Sequence, residues 1–216
     1  GSAMPTGERF QTGLLLRDGD ERLLVDCGSG VLHALPHTDV GYEGVDTVLL
    51  THHHLDHVAD LLPLLKARWL AGAETLTVVG PAGTATLVRD LLEVHDYLQD
   101  RVDLTLREVG ATAGPDATGA TDAHAVAGFD VRAMETRHSM DCLAYRFTPG
   151  DGDGPAVVFS GDSEAFPALA DFADGAAVLA HDCSFPDSVD VSNHPTPASL
   201  GRALARAAPD IGRVYL

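Results

Sequence analysis

The sequence predicts an α/β layered domain built on mixed sheets, and three observations carry that prediction. Two strand-like runs joined by a tight turn open the chain. Apolar strands and amphipathic helical segments then alternate to its end. Between one buried strand and the next helix lies a dense polar turn, Thr51-His52-His53-His54-Leu55-Asp56-His57. Strands first and alternation afterwards argue for mixed sheets with helices on their faces, rather than a simple parallel doubly wound sheet.

The elements follow in order. Thr12 to Leu16 and Arg22 to Asp26 read as a hairpin across Arg17-Asp18-Gly19-Asp20. Asp46 to Leu50 is a short apolar strand that runs into the histidine turn. Further strands are expected at Leu76 to Val79, Val102 to Leu106, Phe129 to Ala133, Cys142 to Phe147, Ala156 to Phe159, Ala176 to Leu179 and Arg213 to Leu216. Apolar residues at spacings of three and four predict helices over Leu55 to Leu70, Gly83 to Asp96, Glu164 to Phe172 and Pro197 to Ala208. Thr196-Pro197 is a helix start with Thr as N-cap and Pro at the first helical position. Gly110 to Thr121 and Pro149 to Pro155 read as weakly structured stretches inside one domain spanning 1–216.

Composition narrows the function. The chain has 216 residues, 45% hydrophobic, which is enough for one sizeable core. Fourteen basic residues face thirty-two acidic ones, for a formal charge of −18, and Lys66 is the lone lysine. A long nucleic acid needs many phosphate contacts from Lys and Arg, so it is a poor partner for this surface. Bound cations would reverse the sign locally. Cys27, Cys142 and Cys183 are an odd count without C-x-x-C spacing, which favours small buried thiols and a reducing, cytoplasmic setting. No apolar segment approaches the ~18 residues of a membrane span, and no secretory signal is visible.

The chemistry concentrates in His52-x-His54-x-Asp56-His57. Imidazole and carboxylate are ligands that borderline divalent metals prefer. Spacing by two on an extended segment sets His52 and His54 side by side, while Asp56 and His57 enter the first turn of the helix. One segment can thus offer two residues to each of two cations.

This His-x-His-x-Asp-His turn closely resembles the signature of the metallo-β-lactamase superfamily, and other elements of that family recur in order. Leu23-Leu24-Val25-Asp26-Cys27-Gly28 resembles the first motif, with Asp26 orienting a ligand from behind. His138 in Glu135-Thr136-Arg137-His138-Ser139 resembles the third. Phe159-Ser160-Gly161-Asp162-Ser163 resembles the fourth, whose Asp bridges two metals. The finer resemblance is to the ribonuclease Z-like phosphodiesterase branch. Gly80-Pro81-Ala82-Gly83 is similar to its Gly-Pro-x-Gly helix start, and Gly1-Ser2-Ala3-Met4-Pro5 to its opening Gly-rich loop. His181-Asp182 is similar to its His-Glu pair with the acid one methylene shorter. His194-Pro195-Thr196 is similar to its His-x-Thr segment.

The resemblance implies a four-layer αββα sandwich of two mixed sheets flanked by helices. It implies a hydrolase with two divalent ions, zinc first, with manganese or iron as alternatives, and a bridging hydroxide. His52, His54 and His138 would hold one ion, Asp56 and His57 the second, and Asp162 would bridge them. His194 would protonate the leaving group, with Asp182 setting its tautomer. A phosphodiester of a small molecule or short nucleic acid is the expected substrate. A lactone, thioester or sulfate ester on the same site is the alternative, and a non-catalytic metal sensor stands as the reading of another class.

Two departures matter. The branch's final Thr-His ligand would follow Val214-Tyr215-Leu216, so either the chain continues beyond Leu216, as its mid-strand ending favours, or the second site is weak; both ends read as cut. Between His138 and Asp162 there is room for two strands and a turn, but not for the long arm of transfer-RNA-processing relatives. His33, His37, His95 and His124 are expected to be solvated or satisfied in the core, and His53 to point away from its neighbours. The helix through Trp69 is a candidate surface for a homodimer.

Overall fold

Short strands rich in Leu and Val build the first sheet. A computed structural model of the chain describes residues 3–112, 123–189 and 191–216. Its backbone divides into two compact units, Gly1–Val109 and Gly110–Leu216.

In the first unit, β1 (Leu14–Asp18) and β2 (Glu21–Val25) form the expected antiparallel hairpin, Leu14 opposite Val25. β3 (Thr47–Leu49), β4 (Thr75–Gly80) and β5 (Asp103–Glu108) then join in parallel, giving a mixed sheet in sequence order. β3 is buried at every residue, as a strand covered on both faces must be. Helices α1 (Val31–Ala34), α2 (Leu55–Val58), α3 (Leu61–Leu70) and α4 (Thr84–Val94) accompany this sheet. Its core gathers Leu24, Val48, Leu50, Val58, Leu61, Leu64, Leu65, Leu76 and Val78, with Trp69 packed against it. The Arg101 guanidinium lies 5.0 Å over the Trp69 ring, so the indole is capped rather than displayed.

The second unit carries β6 (His124–Val126), β7 (Phe129–Glu135), β8 (Leu143–Pro149), β9 (Val157–Phe159), β10 (Val178–Ala180) and β11 (Arg213–Tyr215), again side by side in sequence order. β6 through β9 pair antiparallel, whereas β9, β10 and β11 pair parallel. The parallel crossovers are α5 (Pro167–Phe172) and α6 (Pro197–Ala207). Thr196 caps α6 reciprocally with Ser199, and Pro197 occupies the first turn, as the sequence indicates.

Two helix boundaries differ from expectation, each for a local reason. The helix expected over Leu55 to Leu70 is two helices. Pro63 has no N–H for the carbonyl of Ala59 and its ring would crowd that oxygen, so the chain breaks at Asp60. The freed Asp60 carboxylate accepts from the backbone N–H groups of Gly30 and Leu32 and so caps α1. α5 begins at Pro167, not Glu164, because Pro holds Phe166 in an extended conformation. The short α1 and β6 escaped the sequence reading, being too brief to show periodicity. Most of the expected loose stretch from Gly110 to Thr121 lies outside the described residues. Among the described residues no helix is long and apolar enough to cross a membrane.

Candidate metal centre

In the first unit, β3 delivers its chain to a buried polar turn. Thr51, His52, His57 and Asp26 are all fully buried. His54 is still extended, and α2 begins at Leu55, which turns Asp56 and His57 back toward the same side. His52 Nε2 and His54 Nδ1 lie 3.1 Å apart, and His57 Nε2 lies 3.5 Å from Asp56 Oδ2. Two ligands of one tetrahedral cation at ordinary zinc distances are separated by about 3.3 Å. Both pairs therefore have the spacing of shared coordination.

The hydrogen bonds behind these side chains decide which ring nitrogens face forward. Asp26 receives the Thr51 N–H at 2.7 Å, the Thr51 hydroxyl at 2.8 Å and His57 Nδ1–H at 2.7 Å. Since the Thr51 hydroxyl spends its one proton on Asp26, it accepts from His52 Nδ1–H at 3.0 Å. Both imidazoles thus carry their proton on Nδ1 and keep the lone pair on Nε2, the form a metal requires. Asp26 adopts a left-handed conformation (φ 59°), which an Asp tolerates better than most residues. Asp26, expected to orient a ligand from behind, thus lies within hydrogen-bond distance of His57 Nδ1. Thr51 was not anticipated; its only signal was a hydroxyl directly preceding the ligands.

Backbone contacts lock the turn. Thr12 N–H donates to Asp56 O, Cys27 N–H to His57 O, and Gly28 N–H to Thr12 O. A Cβ on Gly28 would strike Asp56 O, so this position requires glycine. His53 points the other way, as expected, and its Nε2–H donates to Thr84 Oγ1 at 2.8 Å. Thr84 in turn donates to Pro81 O, and Gly83 takes a φ of 92° to start α4. The Gly80-Pro81-Ala82-Gly83 segment is thereby the seat on which the histidine turn is anchored.

In the second unit, His138 follows β7 and Asp162 follows β9. Thr136 Oγ1 donates to Asp162 O at 2.8 Å and ties the two turns together. His138 Nε2 stands 3.8 Å from Asp162 Oδ2, too far for a hydrogen bond and compatible with two ligands around one ion. His194 Nδ1–H donates to Asp182 Oδ2 at 2.6 Å, and the His194 ring lies 5.2 Å from that of His138. The neighbouring His181 is buried, which pushes its pKa down, and its Nδ1–H donates to Asp182 O. Arg137 stacks its guanidinium 4.4 Å over the Phe166 ring.

A cluster of histidine and aspartate side chains could thus hold divalent metal. The residues set aside by sequence fit that treatment. The His33 and His37 rings contact each other, and His124 donates to Gly110 O. All three cysteines are free thiols. Burial, reinforced by nearby aspartates, pushes the Cys27 and Cys183 thiols up, the opposite of an activated nucleophile.

Comparisons with known proteins agree. The family model described as anti-Pycsar protein Apyc1 matches residues 1–200. Ribonuclease Z of Mycobacterium bovis (strain BCG / Pasteur 1173P2) is 34% identical over 198 residues, covering 84% of this chain. The match takes in 66% of that relative, so the chain spans about two thirds of its length. Ribonuclease Z of Mycobacterium marinum is 32% identical over 200 residues, covering 84% of this chain and 67% of its own. Among solved structures, the metallo-β-lactamase fold protein YhfI from Bacillus subtilis is 28% identical with a TM-score of 0.77, covering 99% of this chain and 80% of its own. The short form of human tRNase Z (ELAC1), 19% identical with a TM-score of 0.78 and covering 99% and 87%, supports the fold alone. Two mixed sheets with flanking helices, the ordered donor turns and these matches lead to one conclusion: the chain belongs to the anti-Pycsar protein Apyc1 family and is a ribonuclease Z-like member of the metallo-β-lactamase superfamily.

Proposed function

We propose that this chain is a single hydrolase domain that cleaves a phosphodiester in a small molecule or short nucleic acid with the help of two divalent cations, zinc first among them. The observation that carries this reading is the Asp182–His194 pair at 2.6 Å, whose imidazole borders His138. In this reading His52, His54 and His138 hold one cation, Asp56 and His57 the other, and Asp162 bridges them. The all nitrogen-and-oxygen donor set suits zinc or manganese. When bound, such a pair lowers the pKa of water and offsets the negative charge that develops on a phosphoryl group.

The chain's own residues do the rest. Asp26 and Thr51 keep the ligand rings in the metal-binding tautomer. With His194 doubly protonated, Asp182 holds its Nδ1–H and the Nε2–H can pass its proton to the leaving oxygen as the P–O bond breaks. Water supplies the hydroxyl to phosphorus, its other proton restores His194, and the leaving group departs as an alcohol.

Two features favour a compact substrate over transfer RNA. β8 and β9 are joined by the short turn after Pro149, which leaves no arm between His138 and Asp162. The charge of −18 opposes a long polyanion. A homodimer is part of the proposal, with Leu70 on α3, 68% exposed, as an apolar contact. The three free thiols suit a reducing cytoplasm.

The test is a substrate panel on zinc- and manganese-loaded protein: bis(p-nitrophenyl) phosphate, a dinucleotide, a cyclic nucleotide and a precursor transfer RNA. Turnover of the small diesters with little or none of the RNA is expected. Full metal occupancy with no phosphodiester cleaved, or cleavage confined to lactone, thioester or sulfate esters, overturns the reading.

A further inference from the structure

The acid paired with His194 is an aspartate, one methylene shorter than the glutamate of the resembling branch, yet it reaches the imidazole at 2.6 Å. Two serines account for this. At the end of β9 the fully buried Ser160 donates its proton to Gly161 O and accepts the Asp182 N–H at 2.8 Å. That bond draws the backbone of residue 182 toward the turn that carries Asp162. Two residues beyond, Ser184 Oγ donates to Asp182 Oδ1 at 2.5 Å. The Asp182 side chain is only 5% exposed, so water is largely excluded from its oxygens. Oδ2 faces His194, with a longer 3.4 Å approach from Ser163 N–H, and Oδ1 is occupied by Ser184.

A serine bonded to a carboxylate two residues away ordinarily only shapes a turn. Here the acceptor's second oxygen holds the imidazole, so the same bond sets the plane of the carboxylate and with it the direction of His194. A short side chain has one fewer torsion than glutamate, and pinning Oδ1 removes most of the rotation that remains.

We propose that Ser184 is a positioning residue for the proton donor: its hydroxyl clamps the shortened acid so that Oδ2 keeps His194 Nδ1–H and Nε2 stays aimed at the leaving oxygen. This inference rests on the function proposed above, and its test separates the two. The first readout needs no substrate. Ring-nitrogen correlation spectra of the metal-loaded chain, with His194 assigned by its loss in His194→Ala, should show a slowly exchanging Nδ1 proton. In Ser184→Ala that exchange should accelerate about ten-fold, and Ser184→Thr should restore it.

The second readout is kinetic. A p-nitrophenolate needs no proton to leave, whereas the alkoxide of a dinucleotide does. Ser184→Ala should therefore lose about ten-fold more kcat on the dinucleotide than on bis(p-nitrophenyl) phosphate, with KM for the dinucleotide within about two-fold. Equal losses on both esters, or wild-type proton exchange in Ser184→Ala, overturn the proposal. If wild-type protein cleaves neither ester, the phosphodiesterase reading falls, while the exchange measurement still decides the role of Ser184.

Discussion

Asp26 accepts the Nδ1–H of His57 across a sequence distance of 31 residues, at 2.7 Å and with both side chains essentially out of solvent. The same carboxylate takes two bonds from Thr51, which in turn orients His52. One acid thus sets the tautomers of two imidazoles that belong to different candidate ligand pairs. Replacing Asp26 by Asn should keep the left-handed backbone but weaken metal binding about 10- to 100-fold. Asp26→Ala should add a stability loss of about 1–3 kcal/mol, because it strands buried donors. Zinc competition titration and chemical denaturation measure the two effects. Metal affinity unchanged in Asp26→Asn would remove the acid from this role.

Gly28→Ala tests the backbone lacing. The added methyl collides with the carbonyl of Asp56 and crowds Thr12 N. Since backbone cannot swing aside as a side chain can, α2 must shift and carry Asp56 and His57 with it. A stability loss of about 1–3 kcal/mol, as for overpacking, is expected together with weaker metal retention. Wild-type melting and wild-type metal content in this variant would contradict the close approach.

Removal of a proposed ligand from either unit should be visible without any activity assay. His57→Ala should lower bound metal from two equivalents to about one, and His138→Ala should weaken the remaining site. Elemental analysis after gel filtration, with thermal melting before and after chelation, measures both. Wild-type stoichiometry and affinity in His138→Ala would mean that His138 is not a ligand.

His181 gives a pH dependence with a definite sign. Burial holds its imidazole below the ordinary 6.5, so the folded state favours the neutral ring. Between the depressed folded value and 6.5 the unfolded chain binds more protons. The residue's contribution is therefore fully present above 6.5 and is lost as pH falls through that window, by at most about 1.4 kcal/mol per pH unit. His181→Asn should flatten this part of the profile between pH 7.5 and 5.5 on the scale of about 1 kcal/mol. Parallel stability curves for the two proteins would refute it.

Much of this molecule is legible in its sequence because the relevant signals are local. The hairpin at the start, the strand-helix alternation and the Thr196-Pro197 cap each follow from a few adjacent residues. His52, His54, Asp56 and His57 announce themselves by spacing alone, since an extended segment followed by a helical turn dictates where four side chains go. Asp26, His138, Asp162, Asp182 and His194 could be named only by resemblance to a family, as no short-range rule links them.

Tertiary structure decided what those residues do to one another. That Asp26 fixes the His57 tautomer, that Thr51 relays the same constraint to His52, and that Ser184 and Ser160 hold a shortened acid against His194 depend on atoms brought within 3 Å by chain folding. The break at Asp60 belongs to the same class: Pro63 made it foreseeable, but only the fold turned the freed carboxylate onto the start of α1. Periodicity and spacing specify which side chains share a face. Hydrogen-bond partners at long range are specified by packing, because a donor's direction is lost within a few rotatable bonds and recovered only when neighbours exclude every other rotamer.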